Sequence, residues 1–151
     1  APAAAPAPPR PARPAPELDE AALRIAALLR ADGERPRADG DLAAAAGLEP
    51  AQAAKRLAAL RAAGKVVRVA RNLHYDPEVL ERLLGRVVAI CERDGSATIA
   101  SVRDELGTSR RYAQALLEHL DAEKVTLRRG DEHVLRRRPA GGGSPAAPRR
   151  A

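Results

Sequence analysis

The sequence predicts a mainly α-helical, α+β fold built from two copies of one small unit. The segments ALRIAALLRADG at 22–33 and LGRVVAICERDG at 84–95 share a helical pattern of apolar residues that closes on Asp-Gly, a suitable helix stop. Each is followed by a short helical segment, a longer helix and a β-branched run. Matching parts lie about 60 residues apart, with a one-residue gap near 124. The repeated unit is therefore three helices and a β-hairpin.

In the first unit, 17–76, each element has a local signal. The first helix closes on Asp-Gly, the short helix ends near Gly47, and the long helix starts at Pro50, which suits the first helical position. The β-branched run after it indicates a hairpin. The predicted elements are helices 19–31, 39–46 and 50–63 and strands 65–69 and 72–75.

The second unit, 77–138, repeats these signals. Its short helix ends near Gly107, Thr108 or Ser109 can cap the next helix, and Gly130-Asp131 suits a hairpin turn. The predicted elements are helix 77–93, a short strand at 97–99, helices 100–106 and 109–123, and strands 125–129 and 132–136. Apolar residues at helical spacing should face the two cores: Leu57, Leu60, Ala113, Leu116, Leu117 and Leu120. A helix-turn-helix followed by a hairpin is the winged-helix arrangement, so we predict two tandem winged-helix domains.

The two ends of the chain have a different composition. Residues 1–16 alternate Ala with Pro, and residues 139–151 contain a Gly run, so neither segment can bury a core. We predict disordered tails at both ends. The chain begins with Ala and contains no Met, which indicates a fragment or a processed form.

The net charge of +6 is by itself weak evidence for a nucleic-acid partner. Segment 17–76 carries ten basic and nine acidic residues, and segment 77–138 carries twelve and eleven. The other four basic residues lie in the tails. Because each folded unit is nearly neutral, only a local arrangement of charge can indicate a partner.

Several classes of function have no support in the sequence. No apolar stretch approaches the roughly 20 residues that span a bilayer, so we expect no membrane partner. A single cysteine, Cys91, excludes an internal disulfide framework, fits a reducing, cytoplasmic location and should be buried on an apolar helix face. His74, His119 and His133 show no metal-ligand spacing, and no nucleophile and base pair is evident. We therefore expect neither a metal site nor an enzyme.

The segment Gly107–Arg138 departs from the usual charge pattern of helices. A helix start is electropositive and normally favours acidic residues, yet Arg110 and Arg111 lie in this first turn. Arg128 and Arg129 flank a turn about one helix length later. Two positive sites on one side of a small domain predict a phosphate-bearing partner. The matching helix of unit one begins with Glu49, which would repel a phosphate.

This segment also carries a resemblance to a known family. The matching residues are Gly107-Thr108-Ser109-Arg110-Arg111-Tyr112-Ala113, then Leu116-Leu117-Glu118, Asp121, Val125-Thr126, Arg129-Gly130-Asp131 and Val134-Leu135. In this order and spacing they resemble the last winged-helix domain of the bacterial selenocysteine-specific elongation factor. The resemblance is dense over these residues, weaker over 77–106, and limited to the winged-helix pattern in unit one.

The resemblance implies a function. In that family a translational GTPase carries selenocysteyl-tRNA, and its final winged-helix domain grips a hairpin in selenoprotein mRNA beside an in-frame UGA codon. This chain would be the last two of those domains, acting as a monomer, with the ribosome and selenocysteyl-tRNA as partners of the full-length protein. GTP and Mg²⁺ would belong to that protein as well, because this chain contains no G-x-x-x-x-G-K-[ST] loop and no cofactor is expected here.

The residues expected to contact RNA lie at the helix start and on the wing. They are Ser109, Arg110, Arg111, Gln114, Arg128, Arg129, Gly130, Asp131, His133 and Arg136. Among them, Gly130 would allow close approach of the RNA and Asp131 could accept from a base edge. Glu132-His133 departs from the family, in which a basic residue is common on this part of the wing, and Arg136 to Arg138 are the candidate substitutes.

Two other classes of function remain open at this point. A tandem winged-helix transcriptional regulator would place the same helix in the major groove of duplex DNA. A winged-helix protein-interaction module would explain the near-neutral units, but it predicts an exposed apolar patch rather than arginines around a turn.

Overall fold

The structure is a computed structural model that describes residues 18–136. The chain divides into two compact units between Val79 and Leu80, a short way beyond the boundary that the sequence predicts after Asp76. The limits of the two domains stay a prediction. The predicted disordered tails, 1–16 and 139–151, lie outside the described residues.

Unit one contains the predicted three helices and a hairpin. Its elements are α1 (Glu20–Asp32), α2 (Asp39–Ala46), α3 (Pro50–Ala62), β1 (Val67–Ala70) and β2 (Leu73–Tyr75). The carboxylate of Asp19 starts α1 by accepting from the backbone N–H of Ala22 at 2.8 Å. Gly47 ends α2 in the left-handed conformation that glycine adopts without strain.

The core of unit one is made almost entirely of aliphatic side chains from its three helices. Ile25 and Leu29 of α1, Leu42 of α2, and Leu57 and Leu60 of α3 are all essentially inaccessible to solvent. The three helices thus form one apolar centre, against which the first residues of the hairpin pack. The predicted core positions Leu57 and Leu60 are confirmed.

Unit two repeats this architecture. The helices are α4 (Pro77–Asp94), α5 (Ile99–Leu106) and α6 (Arg110–Ala122), and the strands are β3 (Thr126–Arg129) and β4 (Glu132–Leu135). Buried residues of α4, α5 and α6, among them Val87, Val102 and Leu116, form its core. The predicted core residues of α6 are confirmed, since each is buried: Ala113, Leu116, Leu117 and Leu120.

The predicted strand at 97–99 is wrong. Only Ala97 pairs in the manner of a strand, through two backbone hydrogen bonds of 2.8 and 2.9 Å to His133. Thr98 is instead the N-cap of α5: its hydroxyl accepts from the N–H of Ser101 at 3.0 Å, and the Ser101 hydroxyl accepts from the N–H of Thr98 at 2.8 Å. This reciprocal capping starts a helix at Ile99 and ends the extended stretch after one residue.

The hairpin of unit one is one residue longer than that of unit two, and the sequence did not indicate where the extra residue lies. In unit two the pairing is regular and sets Arg128 opposite His133. In unit one Arg68 lies opposite His74, and the register then shifts between Arg68 and Ala70. The one-residue gap between the repeats therefore lies in the wing, not near 124, because unit one accommodates an extra residue as a bulge.

One ion pair of unit one predicts a dependence of stability on pH. The guanidinium of Arg37 bonds both carboxylate oxygens of Asp32, at 2.9 and 2.8 Å, and this hydrogen bonding lowers the pKa of Asp32 below its ordinary value of 3.8. A lowered folded-state pKa stabilises the fold above the unfolded value and loses that contribution as pH falls through the folded value. We expect Asp32→Asn to lower the free energy of unfolding at pH 7 by roughly 0.5 to 1 kcal/mol, because water screens the pair.

Urea unfolding of the two proteins at pH 7 and at successively lower pH measures this difference. The gap between wild type and Asp32→Asn should close as the pH falls below 3.8. A gap that stays constant down to the acid limit would show that the carboxylate charge does not contribute through Arg37.

Candidate nucleic-acid interface

The start of α6 presents unneutralised positive charge. Ser109 is the N-cap, with its hydroxyl accepting from the N–H of Tyr112 at 3.4 Å, and the first turn contains no acidic residue. The remaining N–H groups of that turn and the helix dipole therefore favour an anion. Arg110 and Arg111 add two exposed guanidinium groups at the same end.

A cavity of about 280 Å³ brings this helix start together with the wing and with the start of α5. Arg110 contributes from α6, while Arg128 and Asp131 contribute from the wing. The floor includes the first residues of α5 and the strand residue His133. The complete lining is Thr98, Ile99, Ala100, Arg110, Arg128, Asp131 and His133. Two of the predicted arginines thus face one concave site, although they lie 18 positions apart in the sequence.

The wing separates Arg129 and Arg136 from this cavity, and Arg111 is not part of its lining. Arg129 and Arg136 line a second, more open cavity of about 640 Å³ that includes Leu127 and Gly95. Adjacent residues of a strand point to opposite faces, so Arg128 and Arg129 cannot serve the same site. The predicted basic group on the wing is therefore two groups, one on each face of the hairpin.

The side chains around the helix start differ in how they are held. The guanidinium of Arg111 lies over the ring of Tyr112, 5.7 Å from its centroid. The Gln114 amide donates to the Glu118 carboxylate at 3.0 Å. On the wing, Arg128 donates from Nε to the carbonyl of Gly130 at 2.9 Å, which orders its side chain across the turn.

Some charges elsewhere in unit two are neutralised by ion pairs within the unit. Arg93 pairs with Asp94 at 2.9 Å and with Glu105 at 3.2 Å, and its guanidinium lowers the pKa of Asp94. Within residues 18–136, by contrast, Arg110, Arg129 and Asp131 make no ion pair. The near-neutral unit therefore carries uncompensated charge at the helix start and wing.

His133, which the sequence predicts as an RNA contact, is buried, although it forms part of the cavity lining. Its side chain is 4% exposed, and its Nδ1–H donates to the carboxylate of Asp121 at 2.9 Å. The position follows from the hairpin: His133 and Thr126 point inward from their strands, and both are buried. The remaining predicted contact residues are exposed: Ser109, Arg110, Arg111, Gln114, Arg128, Arg129, Gly130, Asp131 and Arg136.

Sequence reasoning missed the contribution of α5 to this site. Thr98, Ile99 and Ala100 line the cavity and direct a second helix start toward it. The signal was available, because a Thr followed three residues later by a Ser can form reciprocal caps at a helix start. The prediction of a strand at 97–99 concealed it.

Unit one has a cavity at the same place with a different lining. It measures about 370 Å³ and is formed by the starts of α2 and α3 and by the wing residue Asn72. None of the described residues that line it is basic, and Asp39 contributes a carboxylate. Glu49 occupies the N-cap position of α3 where α6 has Ser109. The same fold thus presents a positive cavity in unit two and an anion-repelling one in unit one.

Other kinds of site find no support in the part of the chain that the structure describes. Between residues 18 and 136, no group of three or more His, Cys, Asp or Glu side chains could hold a metal ion. Over the same residues, no helix has the length and apolar character of a membrane span. Cys91 is buried as predicted, and burial raises the pKa of its thiol.

The fold and the site together define a tandem winged-helix protein whose second unit carries a basic edge of the kind that contacts nucleic acid. A family model described as the winged helix of elongation factor SelB matches residues 89–135. The selenocysteine-specific elongation factor of Desulfomicrobium baculatum is 29% identical over 92 residues, 61% of this chain and 14% of that protein. The Escherichia coli K12 factor of the same description is 30% identical over 106 residues, 69% of this chain and 17% of that protein.

Solved structures agree with these matches. The mRNA-binding domain of E. coli SelB, determined in complex with SECIS RNA, superposes with a TM-score of 0.69 at 25% identity, over 79% of this chain and 99% of that one. A bacterial selenocysteine-specific elongation factor, EF-Sec, has the same fold, with a TM-score of 0.62 at 19% identity over 79% of this chain and 19% of that one. This chain carries the C-terminal winged-helix domains of the SelB family, as the sequence resemblance indicated.

Gly130 gives a testable constraint on the wing. It has a φ of 64°, and Asn72 holds a φ of 63° in the wing of unit one. A Cβ at Gly130 would meet nothing within 4 Å, so a substitution is opposed by backbone conformation alone. We expect Gly130→Val to destabilise the wing by about 1 kcal/mol or more and Gly130→Asn to cost less, because Asn tolerates the left-handed region.

Amide hydrogen exchange of residues 126–135, together with thermal unfolding, distinguishes the two variants. Faster exchange of the wing in Gly130→Val, with near-native exchange in Gly130→Asn, is the expected pattern. Equal behaviour of the two variants would contradict the conformational explanation.

Proposed function

We propose that this chain is the mRNA-binding part of a selenocysteine-specific elongation factor, and that unit two binds the selenocysteine-insertion hairpin of an mRNA. The observation that carries the proposal is the cavity in which Arg110 and Arg128 meet the starts of α5 and α6. Support also comes from the E. coli SelB domain, which is similar over 99% of its length and is described in complex with SECIS RNA.

The geometry suits a hairpin better than a continuous RNA duplex. The major groove of A-form RNA is too deep and narrow for a helix, so specific recognition uses loops, bulges and splayed bases. A concave site of about 280 Å³ beside a short wing can receive a phosphate or an extruded base. Arg110 and Arg128 would pair with phosphate oxygens, and Asp131 would accept from the edge of a base.

The second face of the wing extends the same surface. Arg129 and Arg136 would contact backbone that passes on the other side of the hairpin. Because these contacts are ionic, binding should weaken steeply as the salt concentration rises, with a slope set by the number of phosphates that the arginines contact.

The remaining functions of the family follow for the full-length protein. The chain spans 14% and 17% of the two elongation factors that it matches. We propose that the full protein is a cytoplasmic translational GTPase that uses GTP and Mg²⁺, contacts the ribosome and delivers selenocysteyl-tRNA at UGA. In this scheme the winged-helix units act as a monomeric RNA-binding module without catalytic residues.

Titration with three nucleic acids tests the proposed function. The probes are the RNA hairpin, the same RNA annealed to its complement as a plain duplex, and duplex DNA of the same sequence, each at two salt concentrations. We expect the hairpin to bind most tightly and with a steep salt dependence. Equal affinity for the three probes would overturn specific recognition, and preference for the DNA would favour a transcriptional regulator instead.

Arginine substitutions locate the site within this assay. Arg110→Ala, Arg128→Ala and Arg129→Ala should each weaken hairpin binding about tenfold and reduce the salt slope by about 0.7 to 0.9 per lost phosphate contact. Arg68→Ala is the matched control, because Arg68 occupies in unit one the wing position of Arg128. An equal loss from Arg68→Ala would place the site elsewhere.

The contrast between the two helix starts gives a separate prediction. Ser109→Glu copies the acidic N-cap of unit one into unit two. It removes the hydroxyl cap of Ser109, but the new carboxylate is favoured at the positive helix start and should repel RNA phosphate. We expect hairpin affinity to fall at least tenfold at low salt, with little change in the thermal unfolding midpoint. The reciprocal change Glu49→Ser should leave affinity unaltered, and a loss of affinity there would argue against the assignment of binding to unit two.

A further inference from the structure

A buried polar network lies beneath the wing of unit two. The Asp121 carboxylate, in the last turn of α6, accepts from the Thr126 hydroxyl on β3 and from His133 Nδ1–H on β4. The Thr126 and His133 side chains are almost fully buried, whereas that of Asp121 is 25% exposed. One carboxylate therefore ties both strands of the hairpin to the helix that carries Arg110.

Removal of this carboxylate would leave buried donors without partners. An unsatisfied buried polar group costs more than an ordinary hydrogen bond contributes, so the hairpin has one strongly favoured position against α6. His133 is held from a second side as well, because its backbone exchanges two hydrogen bonds with Ala97. Ala97 immediately precedes the N-cap of α5. The network therefore fixes the position of the wing relative to the starts of both α5 and α6.

The position of the wing fixes the position of one arginine. Arg128 lies directly opposite His133 in the β3–β4 pairing. A displacement of His133 therefore displaces Arg128 relative to Arg110. The spacing of the two arginines across the cavity depends on a residue that does not line the cavity, since Asp121 is absent from its walls.

Unit one holds its equivalent histidine in a different way. The imidazole of His74 bonds through Nδ1 to Asp39 at 2.8 Å and through Nε2 to Arg61 at 3.0 Å. Asp39 is the first residue of α2 and lines the cavity of its unit. In unit two the first residue of α5 is Ile99, and the carboxylate comes from α6 instead. The histidine is thus satisfied in unit two without a negative charge at the start of α5.

We propose that Asp121 is a positioning residue for RNA binding. Its hydrogen bonds hold His133 and Thr126 against α6, and this fixes the position of Arg128 across the cavity from Arg110. The carboxylate that supports the wing lies outside the cavity lining. This inference rests on the proposed function of unit two. It assigns a role in RNA binding to a residue that need not contact the RNA.

A double-mutant cycle on the full chain tests the inference. The proteins are wild type, Asp121→Ala, Arg128→Ala and the double variant, titrated with the RNA hairpin at a temperature where thermal unfolding shows each to be folded. We expect Asp121→Ala to weaken binding about tenfold, close to the effect of Arg128→Ala, and the double variant to bind little worse than either. Asp121→Asn retains one oxygen that can accept from Thr126 and His133 but loses the charge, so it should bind between wild type and Asp121→Ala.

Asp39→Asn is the matched control, because it changes the corresponding histidine contact in unit one. It should lower thermal stability without changing hairpin affinity or its salt slope. Additive losses in the cycle, or wild-type affinity of folded Asp121→Ala, would overturn the positioning role. If folding prevents the use of Asp121→Ala, the cycle with Asp121→Asn decides in the same way.

The proposed function and this inference fail separately. Absence of hairpin binding by the wild-type chain, or an unchanged affinity of Arg110→Ala, would contradict the proposed function. Normal wild-type binding that is sensitive to Arg110→Ala but indifferent to Asp121 would contradict only the positioning role.

Discussion

An isolated two-stranded hairpin is marginally stable in water, so each wing of this chain depends on its attachment to the helices beneath it. In both units a buried histidine on the second strand makes that attachment through a carboxylate. The choice of carboxylate then has consequences beyond the hairpin. Where Asp39 provides it, a negative charge lies at a helix start, and where Asp121 provides it, the helix starts stay positive. The different linings of the two cavities follow in part from this one choice.

The local distribution of charge, rather than the total, distinguishes the two units. Many arginines of the chain are paired with acidic neighbours, as Arg37 is with Asp32 and Arg93 with Asp94. At the distance of a ligand, the two opposite charges of such a pair largely cancel. Among the described residues, Arg110 and Arg129 form no ion pair, and the dipole of α6 adds to the effect of Arg110. A small site can therefore attract a polyanion although the unit that carries it is almost uncharged.

Much of the fold could be predicted from the sequence, because helix periodicity, Gly stops and capping residues are local signals. The helices begin and end within two residues of their predicted limits. The strand at 97–99 was mispredicted because a β-branched pair, Thr98-Ile99, also starts a helix when Ser101 completes the capping box. The burial of His133 was not predicted, because its partner Asp121 lies 12 positions away on another element and no local sequence pattern indicates that pairing. The separation of Arg128 from Arg129, in contrast, follows from the alternation of any strand.

Because the two units have similar hydrophobic cores, the surface of each unit can differ without a change of fold. Folding of each unit depends on buried leucines, isoleucines and valines, whereas the surfaces differ at exposed helix starts such as Glu49 and Ser109. Substitutions there alter the sign of a surface at little cost in stability. A copy of this unit could therefore change the charge of its surface while its fold stayed the same. Buried polar residues such as Asp121 and His133 limit such changes, because their side chains hold the wing against the helices.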